Sequence, residues 1–146
     1  MKTATMDEHR LAARINLVDE HVRAENNHEL DGTMATLNET PLFKLNDEEI
    51  VGNDGVRGFY ADLFQGFPDF HIDVMQRHVT DEAIILELMI SGTHTNEFRG
   101  IPGTGRRVQY PCCTVFPFDD NDRITGERIY FDVALFLRQL GLMPAQ

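Results

Sequence analysis

The chain has 146 residues, 42% of them hydrophobic and 25% charged, a size and balance that fit one folded domain over 1–146. Acidic residues outnumber basic ones by 24 to 13, giving a formal charge of −11. That excess excludes nucleic acid and anionic membrane as partners, because both are held by basic surfaces that release counterions from phosphate. No run approaches the roughly 18 apolar residues of a membrane span. The opening stretch Met1-Lys2-Thr3-Ala4-Thr5-Met6-Asp7-Glu8 turns charged where a secretory leader would turn apolar. The two cysteines, Cys112 and Cys113, are adjacent; on a strand they point to opposite faces, which suits neither a disulfide nor a metal pair. A reducing, cytoplasmic setting is expected. Zinc-ligand spacings, a phosphate loop and a dinucleotide glycine fingerprint are all missing from the sequence, so neither metal nor cofactor is expected.

In chain order, Leu11, Ile15, Val18 and Val22 make one apolar stripe on a helix from Glu8 to about Asn26. A short helix is expected from His28 to Leu37. Two short strands, Pro41 to Leu45 and Glu48 to Val51, flank an Asn46-Asp47 turn. Asn53 is the expected N-cap of a third helix with Val56, Phe59, Tyr60 and Leu63 facing inward, ended by Gly66 and Pro68. Beyond Pro68 the period becomes two: Phe70, Ile72 and Val74 alternate with His71, Asp73 and Met75. Long strands follow at Ala83 to Thr95, Val108 to Phe118 and Arg123 to Phe131. A glycine-rich loop separates the first two and an acidic turn the last two. Asp132 caps a closing helix, with Gly141 past its end.

Helices first, then consecutive antiparallel strands, then a helix is an α+β order. The early helices must cover one face of a strongly twisted sheet. That leaves a cone, open at one end and lined by alternate strand positions, which is a natural small-molecule pocket.

The run Gly92-Thr93-His94-Thr95-Asn96-Glu97-Phe98-Arg99-Gly100-Ile101-Pro102-Gly103-Thr104-Gly105-Arg106 resembles a stretch typical of the SnoaL-like polyketide cyclases. Phe67-Pro68-Asp69-Phe70-His71 and the close Phe131-Asp132 … Leu137-Arg138-Gln139-Leu140-Gly141 resemble the same family, whose element order agrees along nearly the whole chain. The resemblance implies the nuclear-transport-factor-two-like cone, shared with ketosteroid isomerase and limonene-epoxide hydrolase: a curved antiparallel or mixed sheet covered by N-terminal helices. It also implies cofactor-independent chemistry, since the founding members close the last ring of aromatic polyketides by an intramolecular aldol reaction. An Asp on the last strand and a His on the preceding one are implicated there. Counted back from the closing motif, those positions hold Ile129 and Thr114 here, so the anthracycline-type cyclase reading does not carry over.

If Ile129 faces inward, period two places Thr125, Glu127 and Phe131 on the same face. Glu127 is then the nearest carboxylate inside the cone, suited to taking a proton beside a carbonyl; the rival role is a surface ion pair with Arg123 or Arg128. By the same parity Tyr110, Cys112, Thr114 and Phe116 share a face. Tyr110 and Thr114 are candidate oxyanion donors, and Phe116 and Ile129 would shape the pocket. His94 is the best histidine for acid/base work, or else it holds the glycine-rich loop through backbone carbonyls. His71 and His78, seven residues apart on one strand, would face opposite ways, so at most one sees the pocket; His71 is kept as a substrate-binding candidate. His9, His21 and His28 are assigned to the polar sides of helices, and Tyr60 mainly to the core. The expected activity is cyclisation, isomerisation or hydration of a hydrophobic, carbonyl-bearing small molecule. The alternatives are a binding protein of the same fold or a module that associates through its sheet, and a homodimer is expected in any case.

Overall fold

The computed structural model describes residues 6–145; most of the opening stretch read above, residues 1–5, lies outside them. The element order is α1 (Glu8–Asn26), α2 (Leu30–Ala35), β1 (Leu37–Leu45), β2 (Glu48–Val51), α3 (Gly52–Gly66), β3 (His71–Val79), β4 (Ala83–Thr93), β5 (Arg107–Pro117), β6 (Ile124–Phe131) and α4 (Val133–Gln139). One six-stranded sheet runs in the order β2-β1-β6-β5-β4-β3. Every pairing is antiparallel except β1 with β6, so the sheet is mixed. The fold is the expected α+β cone, with helices packed on a curved sheet.

The ends of the helices follow local chemistry. Asp7 caps α1 by accepting from the Arg10 N–H at 2.8 Å, and Asp132 caps α4 by accepting from Leu135 N–H at 3.0 Å. α2 is shorter than expected, because Leu37 already belongs to β1. Asn53 does not cap α3: Gly52, at φ 83°, turns the chain straight from β2 into the helix, leaving Val51 at the cap position.

The largest departure on α1 concerns which face is buried. Of the expected stripe Leu11, Ile15, Val18 and Val22, only Val18 is fully buried and the other three are half-buried, while the polar Arg14, His21 and Glu25 are buried beside it. Arg14 is held by Asp122 at 2.7 Å and the Asp81 carbonyl at 3.1 Å, over the Phe118 ring at 4.6 Å. Partners far along the chain thus pay for burying a charged stripe that hydrophobic period alone could not reveal.

β3 is the other correction. Ile72 is its one buried residue and Val74 is 48% exposed, because β3 is an edge strand covered only at its start. Its register with β4 shifts between Val74 and Gln76. That extra residue reverses the parity, so His71 and His78 share the outer face instead of opposing each other. At the other side of the sheet the β1–β6 register shifts between Leu37 and Leu42, where Leu42 faces Gly126. A Cβ at Gly126 would stand 1.9 Å from the Leu42 carbonyl oxygen, so the parallel pairing requires glycine there.

Candidate active site

The cone encloses a cavity of about 440 Å³. Its walls are apolar, built from aliphatic and aromatic side chains. The rim consists of the β1–β2 turn, Arg99 and Ile101 from the loop after β4, and Val133 at the start of α4. Arg99 pairs there with Glu48, and its N–H donates to Asp62 at 2.7 Å. The closed end is different in kind. Glu25 from α1, Tyr60 from α3 and Glu127 from β6 all line it, with fractional exposures of 5%, 1% and 5%. His21, fully buried, stands behind them.

These four side chains form one hydrogen-bonded cluster. The Tyr60 hydroxyl donates to Glu127 Oε2 and lies 3.0 Å from Glu25 Oε1. His21 Nε2 lies 2.6 Å from Glu25 Oε1, 3.0 Å from the Tyr60 hydroxyl and 3.5 Å from Glu127 Oε2. Burial alone would lower the His21 pKa, but the charges of Glu127 and Glu25 outweigh it and hold the imidazolium up to about 10. Burial, and then the Glu127 charge, raise Glu25, with His21 opposing. Tyr60 is pushed well above the ordinary phenol value by burial and by both carboxylates, and stays a neutral donor.

His21, Glu25 and Glu127 offer ligand atoms within 4.8 Å of one another, a donor set of the kind that holds a divalent cation. Yet the 2.6 Å between Nε2 and Glu25 is a hydrogen bond, shorter than the roughly 3.3 Å between two ligands of one tetrahedral ion. The arrangement as it stands shares protons.

Glu127, Ile129 and Phe131 all line the cavity, as do Tyr110, Cys112, Thr114 and Phe116 on the facing strand. Strand parity therefore describes the lining on β5, and on β6 from Glu127 onward; Thr125, expected on the same face, is not among the lining residues. Thr114 and Ile129, where the resemblance placed the family's His and Asp, are direct partners across β5 and β6. Glu127 sits one pleat beyond them toward the closed end. Tyr110 and Thr114 are separated, however: four residues along β5 put them roughly 13 Å apart. Thr114, next to Cys112 (Sγ to Oγ1 3.8 Å), lies near the cluster, whereas Tyr110 packs against Phe131 and Phe136 toward the rim. They do not address one oxyanion. Burial raises the Cys112 thiol to about 12, so it is no nucleophile.

Two histidine expectations do not fit the cavity. His94 is fully buried beyond the end of β4, with its ring stacked on Phe67 at 5.2 Å. Its backbone N–H donates to the Arg106 carbonyl at 2.9 Å, its backbone carbonyl accepts from the Gly105 N–H at 2.8 Å, and the ring Nδ1 lies 3.2 Å from Thr104 Oγ1. It pins the glycine-rich loop and is not among the residues lining the cavity. His71 points outward on the edge strand, 3.2 Å from Asp73, because Ile72 takes the inward position. His21, Glu25 and Tyr60 were the residues the sequence reading missed. The His21–Glu25 spacing of one helical turn was visible, but the side of α1 that is buried was not.

A family model for the SnoaL-like polyketide cyclases matches residues 11–140. No curated protein matches the chain. Among solved structures, a limonene-epoxide-hydrolase-like epoxide hydrolase of M. tuberculosis is 25% identical, with TM-score 0.70, over 89% of this chain and 90% of that one. TsrD from Streptomyces laurentii is 19% identical, with TM-score 0.79, over 95% and 100%. A SnoaL-like protein from Jannaschia sp. CCS1 is 18% identical, with TM-score 0.83, over 97% and 100%. A match across nine-tenths of the sequence, on a cone with this element order, settles the relationship: the chain belongs to the SnoaL-like polyketide cyclase family.

Proposed function

We propose that this protein is a cofactor-independent acid/base enzyme that moves a proton on a hydrophobic, carbonyl-bearing small molecule, in a cyclisation or isomerisation. The observation that carries the reading is the concentration of ionisable groups at the closed end of an otherwise apolar cavity, with Glu127 lining it. Glu127 takes the proton next to the substrate carbonyl; the electron pair moves onto the carbonyl oxygen, and Thr114 donates to it. The proton then returns to carbon, or the enolate carbon attacks a second carbonyl within the same molecule. Phe116 and Ile129 hold the reacting end, and Tyr110 contacts the portion nearer the rim.

A binding protein with no chemistry fits the aliphatic and aromatic lining but would turn Glu127 to solvent, where it is buried here. A sheet-association module with a collapsed cavity does not fit the open one. We read residues 1–146 as one domain, acting as a homodimer in the cytoplasm. Support for the homodimer comes from the outer sheet face, where Ile85, Met89 and Val115 are half-buried and Tyr130 is 45% exposed. Support for the compartment comes from two free cysteines. Among the described residues no helix is long and apolar enough to cross a membrane.

The test uses a probe that reports any well-placed base in an apolar pocket. In 5-nitrobenzisoxazole, a base removes the ring C–H proton, the N–O bond breaks, and a coloured nitrile-bearing phenolate is released. The protein should open the ring catalytically, with Glu127 as the acceptor; a rate no better than acetate in free solution overturns the proposal.

A further inference from the structure

His21 was assigned to the polar side of a helix, yet it is fully buried and has a partner on each ring nitrogen. The partner on the far side fixes its proton arrangement. Nδ1 lies 2.6 Å from Thr36 Oγ1. That hydroxyl has one proton and donates it to the Thr33 carbonyl at 2.7 Å, a bond local to the turn between α2 and β1. With that proton on the Thr33 carbonyl, Thr36 Oγ1 offers its lone pairs to the ring, and Nδ1 carries a proton. The near side is equally constrained. The phenol proton of Tyr60 serves Glu127, its closer acceptor. With Glu25 ionised, the 2.6 Å contact between Nε2 and Glu25 Oε1 takes its proton from Nε2. In that arrangement both ring nitrogens are donors, as in an imidazolium.

The groups around it come from every adjoining element. Glu25 faces it from α1, Tyr60 from α3, Glu127 from β6 and Thr36 from the turn. The Phe116 ring of β5 meets it edge-on at 5.4 Å, with the neutral Cys112 thiol on the same strand. No second cation serves the closed end among the described residues. Arg14 is committed to Asp122 and the Asp81 carbonyl, and Arg99 stands at the rim with Glu48.

We propose that His21 is the fixed cation of the site: an imidazolium locked by Thr36, donating to Glu25 and lying beside Glu127, which makes it the positioning residue for proton transfer at the closed end of the cavity. It does not itself line the cavity and acts through the two carboxylates. Without it, two carboxylates would share an apolar end with no counter-charge, and one of them would take up a proton. The inference rests on the proposed acid/base role only for its function; the charge state of the ring is argued from its hydrogen bonds and from the two buried carboxylates beside it.

The experiment is a two-bond ¹H–¹⁵N correlation of the intact protein with ¹⁵N-labelled histidine, followed across pH. His21 should show both nitrogens protonated near neutrality and remain so beyond pH 8, where an ordinary histidine is neutral. A neutral ring, or an Nδ1 lone pair, overturns the proposal. Thr36→Val should lower the His21 titration by about one pH unit or more, and Thr36→Ser should restore it; an unchanged titration in Thr36→Val also overturns it. In the benzisoxazole assay, His21→Gln should move the acid limb of the rate profile to higher pH. A purely structural role would cost stability and leave that limb in place. If the wild-type ring is an imidazolium but the probe is not turned over, the acid/base function fails while the charge assignment stands.

Discussion

The Tyr60 hydroxyl on α3 donates to the Glu127 carboxylate on β6, bridging 67 positions of sequence at the closed end of the cavity. One bond thus ties a covering helix to the sheet and aims the acceptor of the proposed reaction. Tyr60→Phe keeps the packed ring against Phe43 and Phe64 and removes only the donor. It should destabilise the fold by about 2 kcal/mol, the usual worth of a buried hydrogen bond to a charged group. It should also change the benzisoxazole rate by about tenfold. Denaturant titration and the same assay check both values; a change in neither would mean that the hydroxyl is solely a packing element.

The pH dependence of stability has a definite sign on the alkaline side. The His21 pKa is raised from 6.5 in the unfolded chain to about 10 in the fold. Its contribution is therefore fully present below pH 6.5 and is lost as pH rises through about 10. Melting temperature should fall across that window in the wild type, and the His21→Gln variant, less stable at neutral pH, should lose that part of the slope. Parallel curves for the two proteins would contradict it.

At the acid end Asp122 gives the opposite sign. Hydrogen bonds from Arg10 and Arg14 hold its pKa down to about 2, against 3.8 for an ordinary aspartate. Its contribution is present above pH 3.8 and is lost as pH falls through about 2. Asp122→Asn should flatten that part of the acid unfolding curve and leave the alkaline part unchanged.

Gly126→Ala tests the parallel pairing of β1 and β6. The added Cβ would fall 1.9 Å from the Leu42 carbonyl oxygen, backbone that cannot step aside without breaking the register. A loss of roughly 3 kcal/mol or more is expected in denaturant unfolding. Gly58, on the exposed side of α3 with open space around its Cβ position, is the control: Gly58→Ala should stabilise by about 0.5–1 kcal/mol.

Much of the cone was legible because its long strands are simple. Period two on β5 and β6 identifies the inward residues, Glu127 among them. The same rule misled on β3, where a bulge after Val74 reverses the parity and an edge position leaves alternate apolar residues uncovered. The closed end was half hidden for a different reason. On α1 Leu11, Ile15 and Val22 are only half-buried, while Arg14, His21 and Glu25 go inside beside Val18 because partners arrive from β6, α3 and the acidic turn. Period reports how greasy a face is, not which polar groups will find each other across the fold. His94 misled in the opposite way, since it sits inside the most recognisable run of the sequence and serves the loop rather than the cavity.

The central claim is that Glu127 is the base, and the benzisoxazole reaction of wild type against Glu127→Gln tests it most directly. The glutamine keeps the shape and can still pair with Tyr60, so the variant should fold and bind the phenolate product as the wild type does. Its catalytic rate should be lower by about 100-fold or more, the contribution of one positioned proton-transfer group. A folded, product-binding Glu127→Gln protein that opens the ring as fast as the wild type would contradict the account.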